Sequence, residues 1–108
     1  MSKHIEISNA NFESEVINSQ VPVLLDFWAA WCGPCRMVGP VIEQIAEDYP
    51  DNLKVGKVNV DNEAELASRH NVVTIPSLIV YNKGKIVNQA VGAQPKQNIE
   101  ALFKDFIQ

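Results

Sequence analysis

Unbroken apolar sequence is missing from this chain. No stretch approaches the ~18 residues that a spanning helix requires, which excludes a protein held in a bilayer by apolar helices. The first ten residues, MSKHIEISNA, hold no apolar core of signal-peptide length, so the expected compartment is the cytoplasm, where thiols are kept reduced. A basic stripe is missing too. Nine Lys and Arg, scattered from Lys3 to Lys104, face 13 Asp and Glu for a net charge of -4. A phosphate-recruiting surface needs the opposite, so neither nucleic acid nor an anionic membrane is an expected partner. Repeats, low-complexity tracts and Ser/Gly-rich linkers are absent, and 108 residues suffice for one core, so a single domain over residues 1–108 is expected. Metal ligands are scarce. Two cysteines and two histidines, with His4 and His70 far apart and without local ligand spacing, make a poor four-ligand zinc set, so no metal is expected.

Both cysteines lie in one stretch, Trp31-Cys32-Gly33-Pro34-Cys35. Closing so short a loop removes only about 1.9 kcal/mol of unfolded-state freedom, the low end for disulfides. The pair therefore suits electron transfer better than stapling. The thiolate is the nucleophile, and a helix N-terminus favours negative charge by up to ~2 kcal/mol. That is enough to bring a cysteine from its usual ~8.5 close to neutral pH. Cys32, just before the expected helix, is the candidate exposed attacker. Cys35, a turn further in, is expected to be more buried and to act as the resolving thiol.

Around this pair the hydrophobic pattern predicts a strand over 3–7 and a helix over 12–18. A strand over 21–28, nearly continuous in apolar residues, should be covered on both faces. A helix follows over 34–49, with the stripe Met37, Val38, Val41, Ile42, Ile45 and Tyr49. Pro34 fits its first turn, whereas Pro40 should kink it. A strand over 53–60 leads to a short helix that Asp61 or Asn62 can cap and that ends at Arg69, with Asn62 and Glu65 at capping-box spacing. A hairpin over 77–81 and 85–91 turns at Asn82-Lys83-Gly84, and Pro95 opens a last helix carrying Ile99, Leu102, Phe103 and Phe106. The order β-α-β-α-β-α-β-β-α implies an α/β fold: a central five-stranded mixed β-sheet with four α-helices on its two faces. The cysteines fall at the C-terminal edge of that sheet, where open α/β sheets place their ligands.

Asp26 interrupts the apolar run of the second strand. Its carboxylate is expected in the interior, with a raised pKa, as a proton acceptor beneath the thiols. Lys57 shares a strand face with Leu53 and Val55, but nothing in the pattern shows that it meets Asp26. Trp28 reads as a core residue whose indole N–H needs an acceptor, and Trp31 as apolar contact surface beside the cysteines.

The residues Asp26-Phe27-Trp28-Ala29, Trp31 through Cys35, Met37, Pro40, Lys57, Asp61, Ile75-Pro76 and Val91-Gly92 resemble the thioredoxin family across essentially the whole chain. That resemblance implies the thioredoxin fold and a protein-disulfide reductase acting as electron donor to other proteins. It implies that Cys32 attacks a substrate disulfide and Cys35 resolves the mixed disulfide. Asp26 would then accept the proton from Cys35, tuned by Lys57, and Gly33 and Pro34 would complete the motif. It also implies a cis peptide before Pro76, and a substrate groove of Trp31, Thr74, Ile75, Pro76, Val91, Gly92 and Ala93. Asp61 would be the acceptor for Trp28, with Pro40 structural. No bound cofactor is implied: electrons come from NADPH through thioredoxin reductase, and the partners of a monomer are that reductase and disulfide-containing proteins. The chain departs from the family pattern at His70, Thr74 and Ser77, which should border the docking surface. A disulfide oxidant or isomerase, and a thiol-independent binding module, remain alternatives that a reduction potential and a double cysteine-to-serine variant would separate.

Overall fold

The computed structural model describes residues 3–107. Five strands, β1 (Ile5–Glu6), β2 (Val23–Trp28), β3 (Lys54–Asn59), β4 (Ser77–Asn82) and β5 (Lys85–Val91), form one sheet in the order β1-β3-β2-β4-β5. β1 and β2 pair parallel to β3, while β2 with β4 and β4 with β5 are antiparallel. The helices are α1 (Gly33–Asp48), α2 (Ala64–Arg69) and α3 (Lys96–Phe103). The helix expected over 12–18 forms over Glu13–Ile17 as a π-helix, closed by the Asn18 N–H on the Glu13 carbonyl at 2.9 Å. The wider turn still buries Phe12 and Val16 together.

β2 lies in the centre, and its alternation feeds two cores. Val23, Leu25 and Phe27 pack with Phe12, Val16, Leu66 and Tyr81 on one side. Leu24 packs with Val38, Ile42, Ile45, Ile99 and Phe103, the α1 and α3 side, on the other. Of the stripe expected on α1, Met37 stays out at 73% exposure. It stands one residue, about 100° of helix, from Val38 and so lies on the rim of the buried face. There it lines a shallow groove with Ala93, Gln94 and Pro95.

Two local expectations change. The Asn62–Glu65 capping box does not form: α2 starts after Glu63 with no side-chain cap. Asn59 closes that turn instead, its carbonyl accepting from the N–H groups of Asn62 and Glu63 and its side chain from Asp61 N–H. In the β4–β5 turn both Lys83 (φ 55°) and Gly84 (φ 80°) take the left-handed conformation that a two-residue hairpin requires.

Gly56 sits between Ile5 of β1 and Leu25 of β2. A Cβ there would stand 2.6 Å from Ile7 Cγ1 and 3.0 Å from Leu25 Cδ2. Gly56→Ala is expected to destabilise the fold by about 1–3 kcal/mol, the usual cost of overpacking a core. Urea unfolding at constant m-value measures it. Wild-type stability in the variant would mean that β1 yields freely.

Candidate active site

The last residue of β2 and the first of α1 are separated by Ala29–Cys32, a short connection that puts Cys32 at its end and Cys35 in the first turn of α1, both at the C-terminal end of β2. Cys32 is the N-cap of α1, in extended conformation, and its sulfur accepts the Cys35 N–H at 3.2 Å. Pro34 occupies the first turn, where a missing N–H costs nothing. The two cysteines are joined by a disulfide, their Cα atoms 5.2 Å apart. The expected contrast in burial is absent: Cys32 is 4% exposed and Cys35 5%. Trp28, Val60 and Ile75 pack around both cysteines together with Ala29, and so level the difference. The asymmetry that remains is positional, with Cys32 at the cap and Cys35 inside the helix.

The loop before β4 approaches from the other side. Its Ile75–Pro76 peptide is cis. The Ile75 carbonyl oxygen lies 3.7 Å from Cys32 Sγ, a distance at which the reduced thiol would donate to it. Ser77 Oγ donates to the Thr74 carbonyl at 2.7 Å, and Gly92 N–H donates to the Pro76 carbonyl at 2.8 Å. Gly92, at φ 91°, adopts a conformation that side chains disfavour. Residues 74–77 and 91–93 are thus tied to each other, with Ile75 against Cys32. Trp31 (66% exposed) and Val91 (59% exposed) present apolar surface, and Thr74 and Ala93 are exposed.

Of the two tryptophans, the one that Asp61 serves is not the one expected. Asp61 accepts from Trp31 Nε1, at 3.0 and 3.2 Å to its two oxygens, and not from Trp28. The Asn59-centred turn carries Asp61 out to the exposed ring, while Trp28 Nε1 is buried with no hydrogen-bond partner. Arg36 Nη1 donates to the Ala30 carbonyl at 2.8 Å, bracing the connection. Pro40 lies inside α1 on its exposed side.

Asp26 is 1% exposed, and its Oδ1 has no hydrogen-bond partner. Burial pushes its pKa from 3.8 up to about 6, against the opposing pull of the Lys57 charge and then of His4, with Glu43 adding to the rise. Lys57 faces Asp26 in the strand register, yet its ammonium sits 4.7 Å from the centre of the Trp28 ring. Nothing in the sequence marks His4 and Glu43 as neighbours of this group, since 39 residues separate them. Among the described residues, no three or more of His, Cys, Asp and Glu gather to hold a metal, and no helix is long and apolar enough to cross a membrane.

His70 does not border the docking surface. Its ring packs edge-on to Phe12 and Tyr81 and tilted against Phe27. Nδ1 faces the Leu66 carbonyl at 2.8 Å and therefore carries the proton, which leaves Nε2 to accept from the Tyr81 hydroxyl at 2.6 Å. Burial first, and Arg69 after it, lower the His70 pKa below 6.5, although the Leu66 bond opposes them. The neutral ring is thus the form that the fold favours. Its contribution is complete above pH 6.5 and is lost as pH falls below that value towards the folded pKa. His70→Phe is accordingly expected to lose less stability than wild type between pH 7 and pH 5 in urea titrations. Parallel losses would show that His70 does not report there.

The profile of the family described as Thioredoxin matches residues 3–105. A thioredoxin of Porphyra purpurea is 43% identical over 102 residues, covering 94% of this chain and 95% of its own. Thioredoxin 1 of Nostoc sp. is 46% identical over 104 residues, covering 96% and 97%. A thioredoxin of Alicyclobacillus acidocaldarius is 46% identical over 102 residues, covering 94% and 96%.

Proposed function

The chain belongs to the thioredoxin family, and we propose that Cys32 is its attacking thiol, Cys35 its resolving thiol and Asp26 the acceptor of the Cys35 proton. It is a thiol–disulfide oxidoreductase that reduces protein disulfides through the Cys32–Cys35 pair. In the proposed cycle the Cys32 thiolate attacks one sulfur of a substrate disulfide. A mixed disulfide forms and the first substrate thiolate leaves. Cys35 then gives its proton to Asp26 and attacks the Cys32 sulfur. The Cys32–Cys35 disulfide closes, the second substrate thiolate leaves, and two electrons have passed to the substrate.

The observation that carries this assignment is the Cys35 N–H on the Cys32 sulfur at the first turn of α1. It supplies a donor for negative charge at one sulfur and not at the other. A pKa of about 6 suits Asp26 to its role, because the carboxylate is mostly ionised at neutral pH and still holds a proton more firmly than an exposed one. The substrate groove we assign runs over Trp31, Thr74, Ile75, Pro76, Val91, Gly92 and Ala93. Exposed apolar area and the Ile75 carbonyl beside Cys32 support it. Lys57 tunes Asp26, Asp61 steadies Trp31, and Gly33 and Pro34 set the turn between the thiols.

The whole chain acts as one monomeric domain in the cytoplasm. It is re-reduced by NADPH through thioredoxin reductase and delivers electrons to disulfide-containing proteins. An NADPH-coupled insulin reduction assay with an active reductase tests this, with dithiothreitol in place of the reductase as control. Turnover in both arms is expected. Failure in the dithiothreitol arm would remove the reductase function, whereas failure in the coupled arm alone would remove only that reductase as partner.

A further inference from the structure

Behind the cysteines the sheet carries a row of ionisable groups. Glu6 of β1 lies opposite Lys57 of β3, and Lys57 opposite Asp26 of β2. Residues paired in one row leave a sheet on the same side. Here it is the α1 side, where Leu24 and Val55, two residues before Asp26 and Lys57, pack against Val38 and Ile42. His4, two residues before Glu6, leaves on that side as well. Its Nδ1 stands 2.5 Å from Glu43 Oε1 of α1, and its Nε2 2.5 Å from Glu6 Oε2. An ionised carboxylate only accepts hydrogen bonds, so the imidazolium, with a donor on each nitrogen, is the form of the ring that can satisfy both carboxylates at once. The His4 side chain is 17% exposed and that of Glu43 30%, so solvent screens this pair less than it would an open surface pair, whereas Glu6, 69% exposed, holds the outer side of the clamp.

We propose that His4 is a positioning residue for the proton step of disulfide exchange: clamped by Glu6 and Glu43, it fixes a positive charge on the Asp26 side of the sheet and holds Asp26 ready to take the proton of Cys35. This role rests on Asp26 being the proton acceptor. The groups that act on Asp26 come from the segments packed on that side: Lys57 from β3, His4 from the residue just before β1, and Glu43 from α1. Lys57 and His4 draw its pKa down and Glu43 pushes it up, within the larger rise that burial causes. A charged His4 therefore leaves more of Asp26 ionised at a given pH. Its loss would remove that charge and make Asp26 keep its proton to higher pH.

The test is a carboxyl-carbon NMR titration of Asp26 in the oxidised protein, with pH–rate profiles of dithiothreitol-driven insulin reduction, for wild type, His4→Gln, His4→Lys and Asp26→Asn. A unit charge about 10 Å away under water-like screening moves a midpoint by about 0.3 pH unit. His4→Gln should raise the Asp26 midpoint by about that much and carry the acid limb of the rate with it, slowing exchange about 1.5-fold near pH 6. His4→Lys, which keeps the charge, should stay at the wild-type midpoint. An unmoved midpoint in His4→Gln overturns the proposal, and so does an equal rise in His4→Lys, because charge would then not be the cause. If Asp26→Asn keeps the wild-type profile, the proton-acceptor reading itself falls and takes the kinetic role of His4 with it, whatever the titration reports.

Discussion

Cys35→Ser is expected to stop the reaction halfway. Cys32 can still attack a substrate disulfide, but no second thiol remains to release the product. Insulin turnover should fall to background while one equivalent of substrate is captured as a mixed disulfide, visible by intact mass and released by dithiothreitol. Cys32→Ser should abolish turnover and capture nothing. The comparison matters because burial does not distinguish the two sulfurs, at 4% and 5% exposure. The difference between them is the helix-cap position of Cys32 and the N–H that its sulfur receives from Cys35. If Cys32→Ser also trapped substrate, the attacker would not be fixed by the cap. Both variants lose a crosslink that contributes about 1.9 kcal/mol in the entropy model, a modest loss that leaves the folded protein available for the assay.

The second large effect concerns stability. Asp26 binds its proton more tightly in the folded chain than in the unfolded one, so ionising it disfavours the fold. Below pH 3.8 the group is protonated in both states and nothing is lost. Between 3.8 and about 6 the loss accumulates, and above that it stays constant. At ~1.36 kcal/mol per pH unit, that interval corresponds to about 3 kcal/mol. Asp26→Asn, neutral at every pH, is expected to be more stable than wild type by up to about 3 kcal/mol at pH 8 and to converge with it near pH 3.5. An amide with its own unpaired N–H groups offsets part of the gain. Urea titrations of the oxidised proteins at both pH values measure it, and a difference independent of pH would show that ionisation of Asp26 is not its source. The same variant should lose the rate change near pH 6 and exchange more slowly above it. Stability and turnover would thus move in opposite directions through one carboxyl group.

What the sequence makes legible follows from local chemistry. The near-continuous apolar run of β2 announces burial on both faces, and Asp26, the one charge within it, announces a perturbed carboxyl. Trp31 through Cys35 before an amphipathic helix announces a redox pair at a helix start. The rest depends on distant partners. Equal burial of the two cysteines comes from Val60 and Ile75, which no spacing around residue 32 foretells. Asp61 binds Trp31 because Asn59 closes the turn before α2, a choice between two nearby indoles that only the path of the chain decides. His70 sits at the end of a short helix, and its burial beneath Phe12 and Phe27 depends on the π-helical turn at Glu13–Ile17. Gly56 looks like any strand glycine until β1 and β2 close on it from both sides.

The N–H of Cys35 that points at the Cys32 sulfur belongs to the backbone of α1, and its direction does not depend on the bond between the sulfurs. When that bond opens, a neutral sulfur becomes an anion while facing the same donor. Water would have to turn its dipoles around each new charge and relax again as the charge disappeared. Here the dipoles are oriented before the charge exists, and they remain so after it has gone. The reorganisation that a liquid would repeat at every electron transfer was completed once, when the chain folded.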